Sequence, residues 1–293
     1  MKRELRWMAA LGTVALSGAA AAQTATPSTP AQALRVCGNP DNLPFSNSKL
    51  EGFENRIADI IAAELGVPVV YVWHAQRRAF VRRTLNAGRC DLVMGAPVGL
   101  QALITTKPYY RSTYVFVTRK DRRLGIRSFD DTALKPLKIG VHAVGDYGNN
   151  PPPVYSLARR GMTGNIVGFK LWDVATIENP QGRIIDAVAK GEIDIAVVWG
   201  PFAGYFAQRQ RVALEIVPVP QDIPELPFDY AMALGVRTGD DALKTRLDAI
   251  LEKRRDDIRR ILTSYGVPLV DKPVLALTAA KATRAISGEP KKE

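Results

Sequence analysis

The sequence predicts an α/β fold of two similar lobes, joined by a two-stranded hinge and separated by a central cleft. Apolar runs typical of buried strands follow the Gly-x-x-Asp turns at Gly88 and at Gly191. These turns lie 103 residues apart, and so do the strand-like segments that begin at Leu34 and at Leu137. An offset shared by two strand pairs indicates an internal repeat, with a chance match of a weak pattern as the alternative.

The N-terminus has the features of a secretory signal peptide. A basic start is followed by an apolar run, Met8 to Ala20, which is too short to span a membrane well, and by the small residues Ala20-Ala21-Ala22. We therefore expect residues 1–22 to be removed and the protein to reach the periplasm. Residues 23–33 contain Thr, Pro, Ser and Ala and predict a disordered lead-in.

The remaining 271 residues are enough for two domains, and their charge limits the classes of partner. Removing residues 1–22, which hold three basic side chains and one acidic side chain, lowers the formal net charge from +11 to +9. The basic residues occur as scattered pairs without interleaved aromatics, which argues against nucleic acid. An acidic partner protein, an anionic membrane surface or a plainly solvated surface all fit this charge.

The cysteines and histidines bear on redox state and on metal binding. Cys37 and Cys90 both fall in predicted strands of the first lobe, and export favours a disulfide between them. Such a bridge would close a 54-residue loop, worth roughly 4 kcal/mol in the chain-entropy model, and two free buried thiols are the alternative. Only His74 and His142 are present, too few for the usual His-rich metal centres, so we expect no metal site.

The first lobe is predicted over residues 34–112 and 228–270. Gly66 is placed to end its first helix, whose apolar face recurs with helical spacing. The long segments near 113–119 and 230–236 are predicted to form the hinge, and residues 240–265 one long helix or two. The remaining predicted elements of this lobe are strands at 34–37, 67–73 and 90–94 and helices at 54–65 and 78–87.

The second lobe is predicted over residues 118–225, and residues 271–293 form a polar tail. Residues 144–153 combine Gly and Asn with three prolines before a helix, which is compatible either with an anion or carbonyl site or with a rigid connector. The predicted elements of this lobe are strands at 137–141, 166–171, 193–198 and 214–217 and helices at 154–160, 183–189 and 202–210.

Trp199 is the first candidate binding residue. It ends a buried strand just before Gly200-Pro201, and in open α/β sheets this end of a strand faces the ligand crevice. The indole is therefore predicted to be either a wall of a binding site or the lid of a core. The full set of residues expected in the cleft is Asn39, Phe45, Pro97, Tyr110, Asp146, Tyr147, Trp199, Gly200 and Tyr205.

Over about residues 34–268 the order of elements resembles the type II periplasmic solute-binding proteins. The resemblance is carried by Pro44-Phe45, by Gly52-Phe53-Glu54, by Pro108-Tyr109 and by the Gly-x-x-Asp strands. Amino-acid binders of this group carry a Thr-Pro-Glu-Arg motif whose Arg holds the ligand carboxylate, but residues 96–103 contain no Arg. The Asp that holds the ligand ammonium is replaced by Trp199 or Gly200. Amino-acid capture is therefore not expected.

A narrower resemblance is carried by the segments 145–161, 183–194 and 199–206. They are similar to the quinoprotein-dehydrogenase-associated branch, the periplasmic binding-protein-like accessory proteins of methanol oxidation systems. The resemblance implies a role in maturing or activating an alcohol or methanol dehydrogenase that depends on pyrroloquinoline quinone and on calcium or a lanthanide. It names that dehydrogenase as the partner, together with its cytochrome c. No motif for quinone or metal occurs in this chain, so no cofactor is expected.

Three functions follow as hypotheses. The first is a non-enzymatic accessory protein whose cleft receives a segment of the dehydrogenase, which predicts a wide or open cleft. The second is the binding subunit of an ABC importer, acting with its permease on an uncharged or aromatic ligand or on the quinone, which predicts a closed form. The third is an enzyme such as a dehydratase, for which Asp146 is the one obvious acid–base candidate.

Overall fold

A ten-stranded mixed sheet runs through the described part of the chain, which in this computed structural model comprises residues 33–143, 150–171 and 178–271. The strands are β1 (Leu34–Gly38), β2 (Asp41–Asn42), β3 (Ser46–Asn47), β4 (Val69–Trp73), β5 (Leu92–Pro97), β6 (Ile104–Thr105), β7 (Tyr110–Arg119), β8 (Ile139–Ala143), β9 (Ile166–Lys170), β10 (Ile195–Trp199), β11 (Leu214–Pro218) and β12 (Asp229–Val236). The helices are α1 (Phe53–Leu65), α2 (Phe80–Arg83), α3 (Pro152–Arg159), α4 (Arg183–Lys190), α5 (Gly200–Ala207), α6 (Asp241–Lys253) and α7 (Arg255–Ser264).

The sheet is assembled from two copies of one arrangement. In the first lobe, β1 lies between β4 and β5, and all three strands are parallel. In the second lobe, β8 lies in the same way between β9 and β10. Val36 pairs with Leu92, and Ile139 pairs with Ile195, so equivalent strands meet in both lobes. The internal repeat predicted from the shared offset is therefore present as a repeated strand order.

Two long antiparallel strands connect the lobes, as the sequence predicts. The first four residues of β7 pair with β12, and its later residues pair with β10 and β11. The far end of β12 pairs with β5 of the first lobe. The chain therefore passes between the lobes along two adjacent strands, which form the predicted two-stranded hinge. In the described part of the chain, no helix is both long enough and apolar enough to cross a membrane.

The prediction of a helix over residues 78–87 is wrong. The structure contains only the four-residue helix α2, followed by turns up to Gly88. The buried apolar residues Phe80 and Leu85 lie five positions apart, which does not make a helical stripe. Ala79 before the helix also adopts a left-handed backbone conformation with φ 65°.

The predicted disulfide is present between Cys37 of β1 and Cys90 before β5. Both cysteines are buried in a small apolar cluster that also contains Phe80, Leu85 and Leu103. The bridge therefore ties the connection between β4 and β5 to the central strand of the first lobe.

Candidate functional site

Trp199 lies where the two lobes meet. It is the last residue of β10, and Gly200-Pro201 begin α5 directly after it. In the sheet Trp199 pairs with Tyr114 of the hinge strand β7, and their ring centroids are 5.5 Å apart. The ring centroid of Tyr230, on the other hinge strand, lies 5.7 Å from that of Trp199 in an edge-to-face geometry. Three aromatic side chains from three neighbouring strands therefore form one wall.

This wall borders a cavity of about 260 Å³ between the lobes. Pro97, Tyr230 and Met232 reach it from β5 and β12, and the second lobe supplies most of the opposite side. The other lining residues are Tyr114, His142, Pro151, Leu171, Val197, Trp199 and Phe202. Among the described residues, the lining contains no Asp, Glu, Lys or Arg side chain.

His142 does not add a charge to the cavity at neutral pH. The side chain is buried, and burial lowers the pKa of its imidazole to about 4. Its Nε2 atom lies 3.1 Å from the carbonyl oxygen of Gln181, so this nitrogen carries the proton in the neutral ring. A zwitterionic amino acid would therefore bury both of its charges here without a charged partner among the described residues, which is strongly unfavourable.

The lobes touch beside the cavity. Phe45 of the first lobe packs edge-on against Phe202 of the second, with 5.2 Å between ring centroids. The Gln181 side-chain amide donates a hydrogen bond of 2.9 Å to the carbonyl oxygen of Asp41. The wide cleft expected under the accessory hypothesis is therefore wrong for the described residues, because aromatic and backbone contacts close one side of it.

The fold and the position of this cavity can be compared with known proteins. The sequence model of the bacterial extracellular solute-binding proteins, family 3, matches residues 34–267. This chain belongs to that family. The cavity beside Trp199 lies between the two lobes of this chain and is lined by both.

Individual relatives of this chain are more specific than the family as a whole. Protein MoxJ of Methylorubrum extorquens is 33% identical over 267 residues, which cover 85% of each chain. The crystal structure of the periplasmic binding protein XoxJ from Methylobacterium extorquens AM1 superimposes with a TM-score of 0.68 at 35% identity, covering 82% of this chain and all of XoxJ. MxaJ from Methlophaga aminisulfidivorans MPT gives a TM-score of 0.69 at 26% identity, covering 81% of this chain and all of MxaJ. The chain is thus a MoxJ-type member of the family.

The structure brings some of the site residues predicted from the sequence to the cavity. Pro97 and Trp199 line it directly, and Phe45 adjoins it through Phe202. Gly200 is buried at the start of α5, where a Cβ atom would lie 2.6 Å from the Thr113 carbonyl oxygen. Asp146 and Tyr147 lie outside the described residues.

The remaining predicted residues lie elsewhere. Asn39 is buried in the loop after β1, where its carbonyl oxygen accepts a hydrogen bond from the Ser46 hydroxyl. Tyr205 faces away from the cavity and stacks on Tyr265, with 5.7 Å between ring centroids. Tyr110 packs against Phe53 in the first lobe. These positions place the three side chains in the scaffold that supports the cavity.

Tyr110 also borders a second cavity of about 400 Å³, between the start of β7 and the helices α6 and α7. Its rim mixes both signs of charge, and the ion pairs Arg111–Asp229 and Arg259–Asp271 lie there. We place the functional site at the smaller cavity because it lies between the lobes and is lined by both.

Sequence reasoning missed several lining residues, chiefly Tyr114, His142, Phe202, Tyr230 and Met232. Tyr114 and Tyr230 lie in the strands predicted as the hinge, and the pairing of Trp199 with Tyr114 is the signal that joins them to the site. In the described part of the chain, no group of His, Cys, Asp and Glu side chains is placed to hold a metal ion.

Proposed function

We propose that this chain is a periplasmic, non-enzymatic accessory protein of a methanol or alcohol dehydrogenase that depends on pyrroloquinoline quinone. In this role it assists maturation or activation of the dehydrogenase by binding an apolar segment of that enzyme in the interlobe cavity. The proposal draws on the likeness to MoxJ and XoxJ, and on the signal peptide predicted over residues 1–22.

The observation that carries the proposal is the uncharged aromatic lining of the cavity. A site with Trp199, Tyr114 and Tyr230 on one side and no ionised side chain among its described lining favours apolar groups. Burying one large apolar side chain is worth about 1.5–3 kcal/mol. Trp and Tyr are also the residues that most often carry the binding energy of a protein interface. An apolar anchor of a partner protein suits this chemistry, whereas a charged nutrient does not.

The test is native mass spectrometry of the chain from Gln23 with a purified quinoprotein methanol dehydrogenase, in apo and holo forms. A complex is expected, and Trp199→Ala should weaken it at least about tenfold, as for an aromatic interface residue worth about 2 kcal/mol. The matched control is Trp73→Ala, because Trp73 is also half-buried but stacks on Tyr71 away from the cavity. Equal binding by both variants would remove the cavity from the interface, and no complex at all would refute the accessory role.

A second function is favoured by one specific observation. The cavity has a volume of about 260 Å³, and Phe45 packs against Phe202 beside it. This volume suits a small molecule better than a long segment. Under this alternative the chain is the binding subunit of an ABC importer and takes a neutral, apolar or aromatic ligand. The same spectrum distinguishes the two functions, since a co-purified small molecule lost from Trp199→Ala would support the importer.

A further inference from the structure

The connection from β4 to β5 carries several arginines and has no acidic residue in its own sequence. Residues 74–90 contain Arg77, Arg78, Arg82, Arg83 and Arg89, and no Asp, Glu or Lys. All five arginines are exposed. We call residues 77–89 the arginine segment. It concentrates five positive charges on one short stretch of surface.

Elsewhere on the surface, arginines are commonly neutralised. Arg35 pairs with Asp91 at 2.5 Å, and Arg160 pairs with Asp222 at 2.7 Å. In the arginine segment, by contrast, Arg78, Arg82, Arg83 and Arg89 make no side-chain hydrogen bond or ion pair within the part of the chain that the structure describes. Those guanidinium groups are therefore free to pair with an outside partner.

The backbone that presents these charges is held in place. Cys90 at its end is bonded to Cys37, and Phe80 and Leu85 are buried in the apolar cluster around that disulfide. The Arg237 guanidinium donates hydrogen bonds to the carbonyl oxygens of Leu85 and Cys90. A surface whose backbone is already ordered loses less conformational entropy when a partner binds.

The residues just before the arginine segment contact the first strands of the first lobe. The backbone N–H of His74, just before it, donates a hydrogen bond of 2.9 Å to the carbonyl oxygen of Gly38. The Gln76 side chain accepts one of 3.4 Å from Asn42. These contacts reach the end of β1 and the strand β2, and Phe45, which packs against Phe202, follows β2 in the chain. The residues just before the arginine segment therefore contact the same stretch of the first lobe that carries Phe45.

We propose that the arginine segment is a docking surface for a carboxylate-rich patch of the protein whose apolar segment enters the cavity. The identity of that protein as the dehydrogenase rests on the proposed function. Arginine forks match carboxylates in bidentate pairs, and unpaired surface cations speed association with an acidic protein. An anionic membrane fits less well, because residues 74–90 contain none of the large apolar side chains that are exposed in the described ranges, namely Leu50, Val70, Val98, Tyr155 and Val167.

The chemistry is tested without the dehydrogenase, by retention on immobilised poly-L-glutamate. Arg78, Arg82, Arg83 and Arg89 are changed together to Glu, and Arg77 is left unchanged. The matched control changes four other exposed arginines to Glu, with the same change in net charge, namely Arg123, Arg183, Arg211 and Arg246. We expect the salt concentration for elution to fall much further for the first variant. Equal losses would show that only net charge matters and would overturn the proposal.

Vesicles containing phosphatidylglycerol and phosphatidylcholine are the second probe. Loss of vesicle binding in the first variant, with unchanged retention on poly-L-glutamate, would assign the arginine segment to a membrane and overturn the proposal. Circular dichroism and the Cys37–Cys90 bond, checked by mass under non-reducing conditions, confirm that each variant is folded.

The partner is tested by the association rate with quinoprotein methanol dehydrogenase at low and high salt. At low salt the first variant should associate about tenfold or more slowly than the control, and high salt should shrink the difference. If the wild type binds and both variants associate at equal rates, the docking surface is wrong and the accessory role stands. If the wild type does not bind, the proposed function fails, and the poly-L-glutamate result still decides the chemistry of the segment.

Discussion

The stability of the protein should depend on pH through Glu54, which is a buried carboxyl group without an ion pair in the described part of the chain. It lies in the first turn of α1 and is 9% exposed. A Cβ atom placed on Gly95 would lie 2.2 Å from its Oε1 atom, so the strand backbone presses against the carboxyl group. Burial raises the pKa of Glu54 from 4.5 to about 8.

The sign of the pH effect follows from that shift. Between pH 4.5 and 8 the native protein retains a proton on Glu54 that the unfolded chain releases, so stability falls as the pH rises through this window. A shift from 4.5 to about 8 corresponds to about 5 kcal/mol over the whole window, and this is an upper value because unfolded chains are partly compact. The favourable position of a carboxylate in the first helical turn, about 0.3–1 kcal/mol, is too small to reverse the direction.

Glu54→Gln removes the proton equilibrium and keeps the shape of the side chain. Chemical denaturation of the wild type and the variant at pH 5, 7 and 9 gives the difference in unfolding free energy, in which contributions from other titrating groups cancel. We expect Glu54→Gln to gain stability relative to the wild type by several kcal/mol between pH 5 and pH 9. Glu192→Gln, at an exposed glutamate, should show no such trend. A Glu54→Gln difference that stays constant with pH would refute the buried-carboxyl argument.

Three further predictions concern the bridge, the lobe contact and the cavity. Replacing both Cys37 and Cys90 by Ala should lower the unfolding free energy by about 4 kcal/mol, measured against the oxidised wild type, because the bridge closes a long loop. Gly204→Ala should destabilise the protein by about 1–3 kcal/mol, since its Cβ would lie 1.8 Å from the Gly266 carbonyl oxygen, whereas Gly164→Ala, with nothing within 4 Å, should not. Because the native state keeps the His142 imidazole neutral, the wild type should lose about 3 kcal/mol of unfolding free energy as the pH falls from 6.5 to about 4. The variant His142→Gln should not show this loss.

Local signals predicted most of the secondary structure. Gly66 ends α1 in a left-handed conformation with φ 71°, as its position after the apolar stripe indicates. The charged stretch 240–265 forms two helices, α6 and α7. The sequence was compatible with either one long helix or two. Local signals did not predict the conformation of residues 78–87. The tertiary burial of Phe80 and Leu85 and the disulfide at Cys90 determine that conformation.

The candidate site was predicted only where a side chain is fixed by its own strand. Trp199 could be placed at the cavity because the end of a buried strand before a helix has one orientation in such folds. Tyr114 and Tyr230 reach the cavity through strand pairing across the hinge, which spacing along the chain does not reveal. Tyr205 was expected in the cleft but stacks on Tyr265, and that contact joins residues distant in sequence.

Contacts within the chain hold the two lobes together, so closure of the lobes does not require a charged ligand. In a binder of charged ligands, the ligand itself can bridge the two lobes and bias them toward closure. Here Phe45 against Phe202 and Gln181 on the Asp41 carbonyl oxygen do so from within the chain. An aromatic pair of this kind is worth about 0.5–1.5 kcal/mol beyond its buried area. Separation of the two rings therefore lowers the equilibrium constant for opening of the lobes by up to about tenfold. Under the proposed function, an incoming apolar side chain replaces the contact that Phe202 loses, whereas a charged group does not, so the closing contacts and the uncharged part of the lining that the structure describes favour the same class of occupant.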